Sequence, residues 1–232
     1  MKKAKYLSKL PVIVGHRGYP KVARENTLES FLAALKAGAE MVEIDARITS
    51  DNVLVAYHDE TLPNGRKIRE TGSGEILSYG IEEVEKLIKS LPQESNIMLD
   101  VKDEVCWMDV AQLVKDRGLS ERVIIAGNPN AVVKISKEID VLSAPSFELL
   151  NWRESLRRTI EAGCDAVNDY YLAFDEEVLK EAKRLNLLFV TYTVNEMEEI
   201  VKLLRAGVDF IVTDEVETAV RIKNHFFGMK TT

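Results

Sequence analysis

Two pairs of titratable residues stand within apolar runs of this 232-residue sequence. Glu43 and Asp45 are two residues apart in the run at 41–45, and Asp100 and Lys102 repeat that spacing in the run at 97–102. If both runs are β-strands, the two-residue period places each pair on one face. Carboxylates held together away from water are costly unless a cation neutralises them, so Mg²⁺ or Ca²⁺ fits Glu43, Asp45 and Asp100. Salt bridging or protonation is the alternative.

Two histidines add acid–base chemistry. His16 ends the first apolar run, and His58 lies in a long segment after the second. Two imidazoles on either side of an anionic substrate can take a proton from a nucleophile and protonate a leaving group. Arg17 and Lys102 would neutralise a phosphoryl group. Because the sequence has no Gly-rich phosphate loop, this set indicates phosphodiester cleavage rather than a kinase or nucleotide site; His225, in a C-terminal helical pattern, is interpreted as structural or solvated.

These residues need a scaffold in which strand ends converge. Short apolar runs without polar alternation are typical of parallel strands covered on both faces, and apolar residues with helical spacing follow each run. The predicted strands are 12–16, 41–47, 96–102, 122–126, 141–147, 166–170, 188–194 and 210–214. The predicted helices are 81–91, 107–117, 129–138, 151–162, 175–186 and 216–227, with two further helical stripes at 28–35 and 197–204.

Eight strand–helix units in order favour a closed (β/α)₈ TIM barrel over an open sheet. Ala-Gly pairs at 37–38, 162–163 and 206–207 each end a helical pattern, where glycine suits the left-handed position after a helix. The segment 48–80 far exceeds the usual βα loop of ~2–6 residues. It is predicted to be a small insertion over the C-terminal mouth that brings His58 opposite His16, with a decorative hairpin as the alternative. The chain is then a single TIM-barrel catalytic domain over 1–232.

Composition narrows the class of protein further. Lys and Arg total 31 against 38 Asp and Glu, a net charge of −7, and this acidic surface disfavours a nucleic-acid partner. Two cysteines offer no disulfide framework. The N-terminus lacks the apolar core of a signal peptide, and no apolar stretch approaches the ~18–20 residues that span a bilayer. We expect a cytoplasmic protein without stable membrane insertion; the oligomeric state stays open.

The motifs form an ordered series along nearly the whole chain. They are His16-Arg17-Gly18, Glu25-Asn26-Thr27, Glu43-x-Asp45, Val55-x-x-His58-Asp59, Asp100-Val101-Lys102, Thr191-Tyr192-Thr193-Val194-Asn195 and Thr213-Asp214. This series resembles the glycerophosphodiester phosphodiesterases, a family of (β/α)₈ barrels with a small insertion. The resemblance implies an acid–base pair at His16 and His58, and substrate contacts at Arg17, Lys102 and Tyr192. It implies a divalent metal, Mg²⁺ or Ca²⁺, on Glu43, Asp45 and Asp100.

The resemblance also implies a reaction. The metal binds a glycerol hydroxyl and a phosphate oxygen, the adjacent hydroxyl attacks phosphorus, and the alcohol leaves. Water then opens the cyclic phosphate, so that the products are sn-glycerol 3-phosphate and an alcohol such as choline or ethanolamine. Such a hydrolase would act in glycerol and lipid metabolism on a small-molecule glycerophosphodiester.

Several positions depart from the family pattern, and three of these departures concern the site. Asp100 stands where the family usually has Glu and is one methylene shorter, which puts the choice of metal in question. Tyr192 replaces a usual Trp and still offers an apolar wall for glycerol. The run ending Ala126-Gly127-Asn128 replaces the usual Ser-Phe and leaves the leaving-group pocket undefined. Two alternatives are a phosphodiesterase acting on lysophospholipid and a non-catalytic barrel that binds glycerophosphodiesters; the latter predicts the loss of a histidine or metal carboxylate, and none is lost.

Overall fold

The computed structural model describes residues 10–149 and 151–228. Its strands are β1 (Val12–Gly15), β2 (Met41–Ile48), β3 (Leu54–Val55), β4 (Asn96–Val101), β5 (Val123–Gly127), β6 (Leu142–Pro145), β7 (Ala166–Tyr170), β8 (Leu188–Tyr192) and β9 (Phe210–Thr213). Eight of them are parallel neighbours in the order β6-β5-β4-β2-β1-β9-β8-β7. A parallel bridge between Ser146 and Asn168 joins the two ends of this order. The predicted (β/α)₈ barrel is confirmed.

Helices cover the outside of the barrel, and one short helix lies in the insertion between β3 and β4. They are α1 (Leu28–Lys36), α2 (Ser73–Ser78), α3 (Val84–Ser90), α4 (Trp107–Asp116), α5 (Pro129–Glu138), α6 (Trp152–Ala162), α7 (Glu176–Arg184), α8 (Met197–Ala206) and α9 (Val216–Gly228). Gly38, Gly163 and Gly207 have φ of 98°, 69° and 86°, the left-handed conformation expected after helices α1, α6 and α8. No helix among the described residues has the length and apolar character to cross a membrane.

Side chains alternate along each barrel strand between the outer helices and the interior. The interior is apolar near the strand starts, where Val12, Met41, Leu188 and Phe210 belong to one buried cluster. The same inward face becomes polar toward the carboxyl ends, because the two-residue period continues from Met41 to Glu43 and Asp45. The apolar layers thus form a floor, and the strand ends place polar groups above it.

The insertion after β2 is a small folded unit. β3 pairs antiparallel with the end of β2, with Arg47 opposite Val55, and the unit has its own apolar cluster around Leu62, Ile68 and Ile76. β3 is only two residues long, and the stretch at 71–74, whose glycine and serine residues favour turns, leads into α2. Asp51 explains this difference, because its carboxylate accepts hydrogen bonds from the Ser73 backbone N–H (2.9 Å) and hydroxyl (2.7 Å) and so caps that helix.

Candidate active site

The carboxyl ends of the barrel strands surround a cavity of about 570 Å³. Its charged side includes His16, Arg17, Glu43, His58, Asp100 and Lys102, and its opposite side includes Asn168, Tyr170 and Tyr192. The predicted site residues therefore meet in one place, with Asp45 fully buried beside the cavity. His225 lies exposed on α9 and does not line it.

Three carboxylates form the most buried part of this site. Oxygen atoms of Glu43, Asp45 and Asp100 lie within 4.8 Å of one another. Burial, together with the charges of Asp45 and Asp100, raises the pKa of Glu43 well above its usual value. Oε1 of Glu43 and Oδ1 of Asp100 are buried without a hydrogen-bond partner among the described residues. An all-oxygen donor set with unpaired buried oxygens is the chemistry that a hard divalent cation requires.

The two predicted phosphate contacts are already paired with these carboxylates. Lys102 Nζ lies 2.8 Å from Asp45 Oδ1 and 2.6 Å from Asp100 Oδ2. Arg17 Nε lies 3.2 Å from Asp45 Oδ2, and the Arg17 backbone N–H donates to Glu43 Oε2 at 2.7 Å. Burial alone would raise the pKa of Asp45, but the charges of Lys102 and Arg17 outweigh it, so the pKa is lowered and the carboxylate stays ionised. Lys102 and Arg17 thus balance the acidic cluster as well as facing the cavity.

Two residues that position this cluster had no role assigned from sequence. Asn26 donates from Nδ2 to Asp45 Oδ2 at 2.7 Å, and its Oδ1 accepts the Asp45 backbone N–H at 3.2 Å. Gly127 has φ of 96°, and a Cβ there would lie 2.0 Å from Asp100 Oδ1. The position that departs from the family pattern therefore makes room for the carboxylate of Asp100. The signals were present: Asn26 lies in a recognised motif, and Gly127 in a recognised departure.

His16 is oriented by the end of the last barrel strand. Its Nδ1 lies 2.8 Å from Asp214 Oδ1. Asn195 holds that carboxylate by donating from Nδ2 to Oδ2 at 2.7 Å and by accepting the Asp214 backbone N–H at 2.9 Å. Burial would raise the pKa of Asp214, but the hydrogen bond and charge of His16 lower it on balance. With Nδ1 engaged, Nε2 is the His16 nitrogen left to act on a ligand in the cavity.

His58 reaches the same cavity from the insertion. Its Nδ1 lies 2.8 Å from Asp59 Oδ1, and its backbone carbonyl accepts a hydrogen bond from Arg47 Nε at 2.8 Å. Arg47 also donates from Nη1 to Asp103 Oδ1 at 2.7 Å. Arg47, on β2, therefore ties the His58 main chain to the loop after β4, a role that sequence reasoning missed because Arg47 belongs to no recognised motif.

The opposite wall is largely aromatic and uncharged, and the carboxylate that lines the cavity after β6, Glu148, is exposed to solvent. The Tyr192 hydroxyl is hydrogen-bonded to Ser146, and its ring meets that of Tyr170 edge-on with centroids 6.1 Å apart. Burial raises the pKa of Tyr192, so its hydroxyl stays protonated at neutral pH. Asn128, directly after β5, also lines the cavity. This wall suits an uncharged part of a ligand, whereas the charged side suits an anion and a metal.

Comparison with known proteins gives this site a family. The model of the Glycerophosphoryl diester phosphodiesterase family matches residues 16–87 and 75–218. The chain therefore belongs to that family and is an enzyme, a glycerophosphodiester phosphodiesterase. The family match spans the histidines, the carboxylates and both walls of the cavity.

Relatives of the whole chain agree with the family. A glycerophosphodiester phosphodiesterase of Caldanaerobacter subterraneus is 24% identical over 91% of this chain and 97% of its own. The crystal structure of the Thermotoga maritima glycerophosphodiester phosphodiesterase superposes with a TM-score of 0.81 at 25% identity, covering 91% of this chain and 97% of that one. An Oleispira antarctica phosphodiesterase, solved with the product sn-glycerol-3-phosphate, has the same fold, with a TM-score of 0.78 at 20% identity, covering 93% and 97% of the two chains.

Proposed function

We propose that this enzyme hydrolyses glycerophosphodiesters to sn-glycerol 3-phosphate and an alcohol, using a divalent cation, Mg²⁺ or Ca²⁺. The observation that carries the proposal is the cavity itself, in which two carboxylate-bound histidines and three clustered carboxylates face one space. The product complex of the Oleispira antarctica protein supports the choice of substrate. The cytoplasmic location and the single-domain organisation stay predictions from the sequence.

The histidines carry the proton transfers of this proposal. One imidazole takes the proton of the glycerol hydroxyl next to the phosphorylated oxygen as that hydroxyl attacks phosphorus, and the other protonates the departing alcohol. The P–O bond to the alcohol breaks and a cyclic phosphate forms. The imidazoles then exchange roles as water adds to phosphorus and the ring opens to glycerol 3-phosphate. The contacts with Asp214 and Asp59 occupy Nδ1 of each ring and leave Nε2 for these transfers.

The carboxylates would hold the cation. Glu43 and Asp100 each offer a buried oxygen without a partner in the described part of the chain, and Asp45 completes the set. A bound divalent ion supplies charge that stabilises the phosphoryl oxygens and favours ionisation of a coordinated hydroxyl. Lys102 and Arg17 place positive charge beside the same oxygens, so that the negative phosphoryl group is not repelled by the acidic cluster.

The test is a coupled assay for glycerol 3-phosphate release from several glycerophosphodiesters, with and without added metals. EDTA is expected to abolish release, and Mg²⁺ or Ca²⁺ to restore it. Glu43→Gln is expected to prevent the restoration, whereas Glu29→Gln, on the exposed face of α1, serves as the matched control. Activity that survives exhaustive chelation would contradict the metal site. Lysophospholipids in the same assay test the alternative substrate, and a complete lack of turnover with bound substrate would indicate a non-catalytic barrel.

A further inference from the structure

Asn168, in the aromatic wall of the cavity, has a buried side-chain oxygen without a hydrogen-bond partner among the described residues. It lies on β7 between Ala166 and Tyr170, on the inward face, and is 3% exposed. Its Nδ2 donates to the Ala144 backbone carbonyl at 3.1 Å. Since only the amide nitrogen can donate to a carbonyl, this bond fixes which way the side-chain amide is turned. Oδ1 has no hydrogen-bond partner among the described residues, and Asn168 lines the cavity.

Other buried unpaired atoms do not have this combination. Arg17 Nε, Glu43 Oε1 and Asp100 Oδ1 belong to the acidic cluster, where the ion pair of Arg17 with Asp45 and the proposed cation would account for them. Within the described ranges Thr191 Oγ1 is also buried without a hydrogen-bond partner, but Thr191 does not line the cavity. Asn168 is therefore a polar residue of the cavity that has no role in the proposed acid–base and metal chemistry.

The chemistry of an amide oxygen restricts what can bind there. A carbonyl oxygen accepts and cannot donate, so its partner is a hydroxyl or an amine and not a phosphate oxygen. Apolar Met98, Ala126 and Val212 also line the cavity. Glu148, the lining carboxylate that follows β6, is exposed to solvent, so an ammonium group buried at Asn168 would lose its hydration for a counter-charge that water screens. A neutral hydroxyl is the ligand group that satisfies Asn168 at the least cost.

The position of Asn168 selects the hydroxyl. In the ring of strands, β7 is three places from β1, which leads into His16, and four from β2, which carries Glu43 and Asp45. The phosphoryl group and the attacking hydroxyl must lie beside those residues. The far wall then meets the end of glycerol remote from phosphorus. Resting on the proposed function, we propose that Asn168 Oδ1 accepts a hydrogen bond from the terminal hydroxyl of the glycerol moiety and makes the enzyme select glycerol over propanediol.

The test compares two substrates that release the same alcohol. One is the glycerophosphodiester with the highest activity in the preceding assay; the other is its 1-deoxy analogue, which keeps the attacking hydroxyl and lacks only the terminal one. For the wild type, we expect kcat/KM to be about 10–100-fold lower for the analogue, because its binding leaves the amide oxygen unpaired. Release of the common alcohol is the measured quantity.

Asn168→Leu is expected to lower kcat/KM for the glycerol substrate and to bring the ratio between the two substrates close to one. Thr191→Val, which removes a buried unpaired oxygen outside the cavity, is the matched control and should keep the wild-type ratio. Equal rates for both substrates with the wild type overturn the inference, even if the Leu variant does not fold. So does an Asn168→Leu variant that keeps the wild-type ratio. An enzyme that cleaves neither substrate overturns the proposed function, and this inference with it.

Discussion

The two histidines of the cavity are held by different parts of the molecule. His16 follows a barrel strand, its side chain is 19% exposed, and its partner Asp214 is 24% exposed. His58 lies in the insertion, its side chain is 40% exposed, and its partner Asp59 is 67% exposed. Both histidines show the same 2.8 Å contact between Nδ1 and a carboxylate. The two histidine–carboxylate contacts are therefore equal in length, but they differ in their exposure to solvent.

The surroundings decide what each contact is worth. An ion pair or charge-assisted hydrogen bond in water contributes little, because solvent competes with it and salt screens it. Asp214 is less exposed than Asp59 and is fixed twice by Asn195, so it can orient His16. Among the described residues, Asp59 has no comparable support, and the position of His58 depends instead on the bond from Arg47 to its main chain. The barrel thus orients one imidazole through a side chain, and the insertion orients the other through its backbone.

The largest effects are expected from removing either imidazole. His16→Ala and His58→Ala should each lower kcat about 10²- to 10⁴-fold, the range for losing a general acid or base. The expected losses of kcat are similar because each imidazole carries one of the two proton transfers, although the histidines lie in different regions of the molecule. Steady-state release of glycerol 3-phosphate measures them, with His225→Ala on the exposed part of α9 as the control. Near-normal turnover by His58→Ala would show that the insertion contributes no general acid or base to the reaction.

The next effect separates the two carboxylate partners. Asp214→Asn should lower kcat/KM about 10²-fold, because Asn195 Nδ2 would claim the new amide oxygen and the amide NH₂ would face His16, favouring the wrong tautomer. Asp59→Asn should cost less than about 10-fold, since that carboxylate is mostly in water. Because the pKa of Asp214 is below its usual value, its carboxylate is ionised at neutral pH, and its support of His16 is lost only as the pH falls through that lowered pKa.

The two carboxylates are compared by measuring kcat/KM of both variants under the same conditions and taking the ratio of their losses. Thermal melting of both variants separates catalytic effects from unfolding. Equal losses for Asp214→Asn and Asp59→Asn would show that burial does not distinguish the two histidine–carboxylate pairs.

The barrel was predictable because its signal repeats. Buried parallel strands are short apolar runs, and the observed strand and helix bounds lie within a few residues of those predicted. The insertion was harder, since its structure depends on single side chains rather than on a period. The stretch at 71–74 contains glycine and serine, which favour turns, yet Asp51 from a different part of the chain caps a helix there. Because the two partners of this contact are 22 residues apart in the chain, no local sequence pattern indicates it.

The candidate site divides in the same way. Glu43, Asp45 and Asp100 were found because charges inside apolar strands are conspicuous. Arg47 and Asn168 continue the same alternation, but one resembles an ordinary surface arginine and the other a neutral core residue. Their significance depends on a partner, or on the lack of one, in three dimensions. Residue types that are rare in a strand could be identified from sequence, whereas common polar residues needed the geometry.

Arg47 tests how the insertion positions His58. Arg47→Leu removes the bonds to the His58 carbonyl and to Asp103, and a shift of the imidazole should lower kcat about 10-fold with a smaller change in KM. Arg47→Lys, which keeps the charge and one donor, should recover part of the loss. A merely structural role would lower the melting temperature without this division between kcat and KM.

The matched control is Arg66→Leu in the same insertion. Arg66 is exposed and pairs with Glu75, so its loss should leave kcat unchanged. If Arg66→Leu and Arg47→Leu lower kcat equally, general loosening of the insertion explains both, and Arg47 has no specific part in placing His58.

The smallest effect concerns the fold of the insertion itself. Asp51 accepts hydrogen bonds from the Thr49 hydroxyl (2.6 Å) and from the Ser73 N–H and hydroxyl. Asp51→Ala should speed amide hydrogen exchange in α2 several-fold while kcat changes less than about two-fold, because α2 does not line the cavity. Hydrogen exchange followed by mass spectrometry measures this, with Asp116→Ala at the exposed end of α4 as the control. Unchanged exchange in α2 would contradict the cap.

The pH dependence of the same contact follows from its hydrogen bonds. Those from Thr49 and Ser73 lower the pKa of Asp51 from 3.8 to about 2. A carboxyl group whose pKa is lowered by folding stabilises the folded insertion at pH values above its pKa in the unfolded chain. This contribution disappears as the pH falls from about 4 through 2. Wild-type α2 should therefore lose its protection relative to Asp51→Ala over that interval, and the two proteins should converge near pH 2. His16 follows β1 in the barrel, is held by Asp214 and Asn195, and lies outside the insertion. Amide hydrogen exchange in β1 should therefore be the same in the two proteins at any pH in this range.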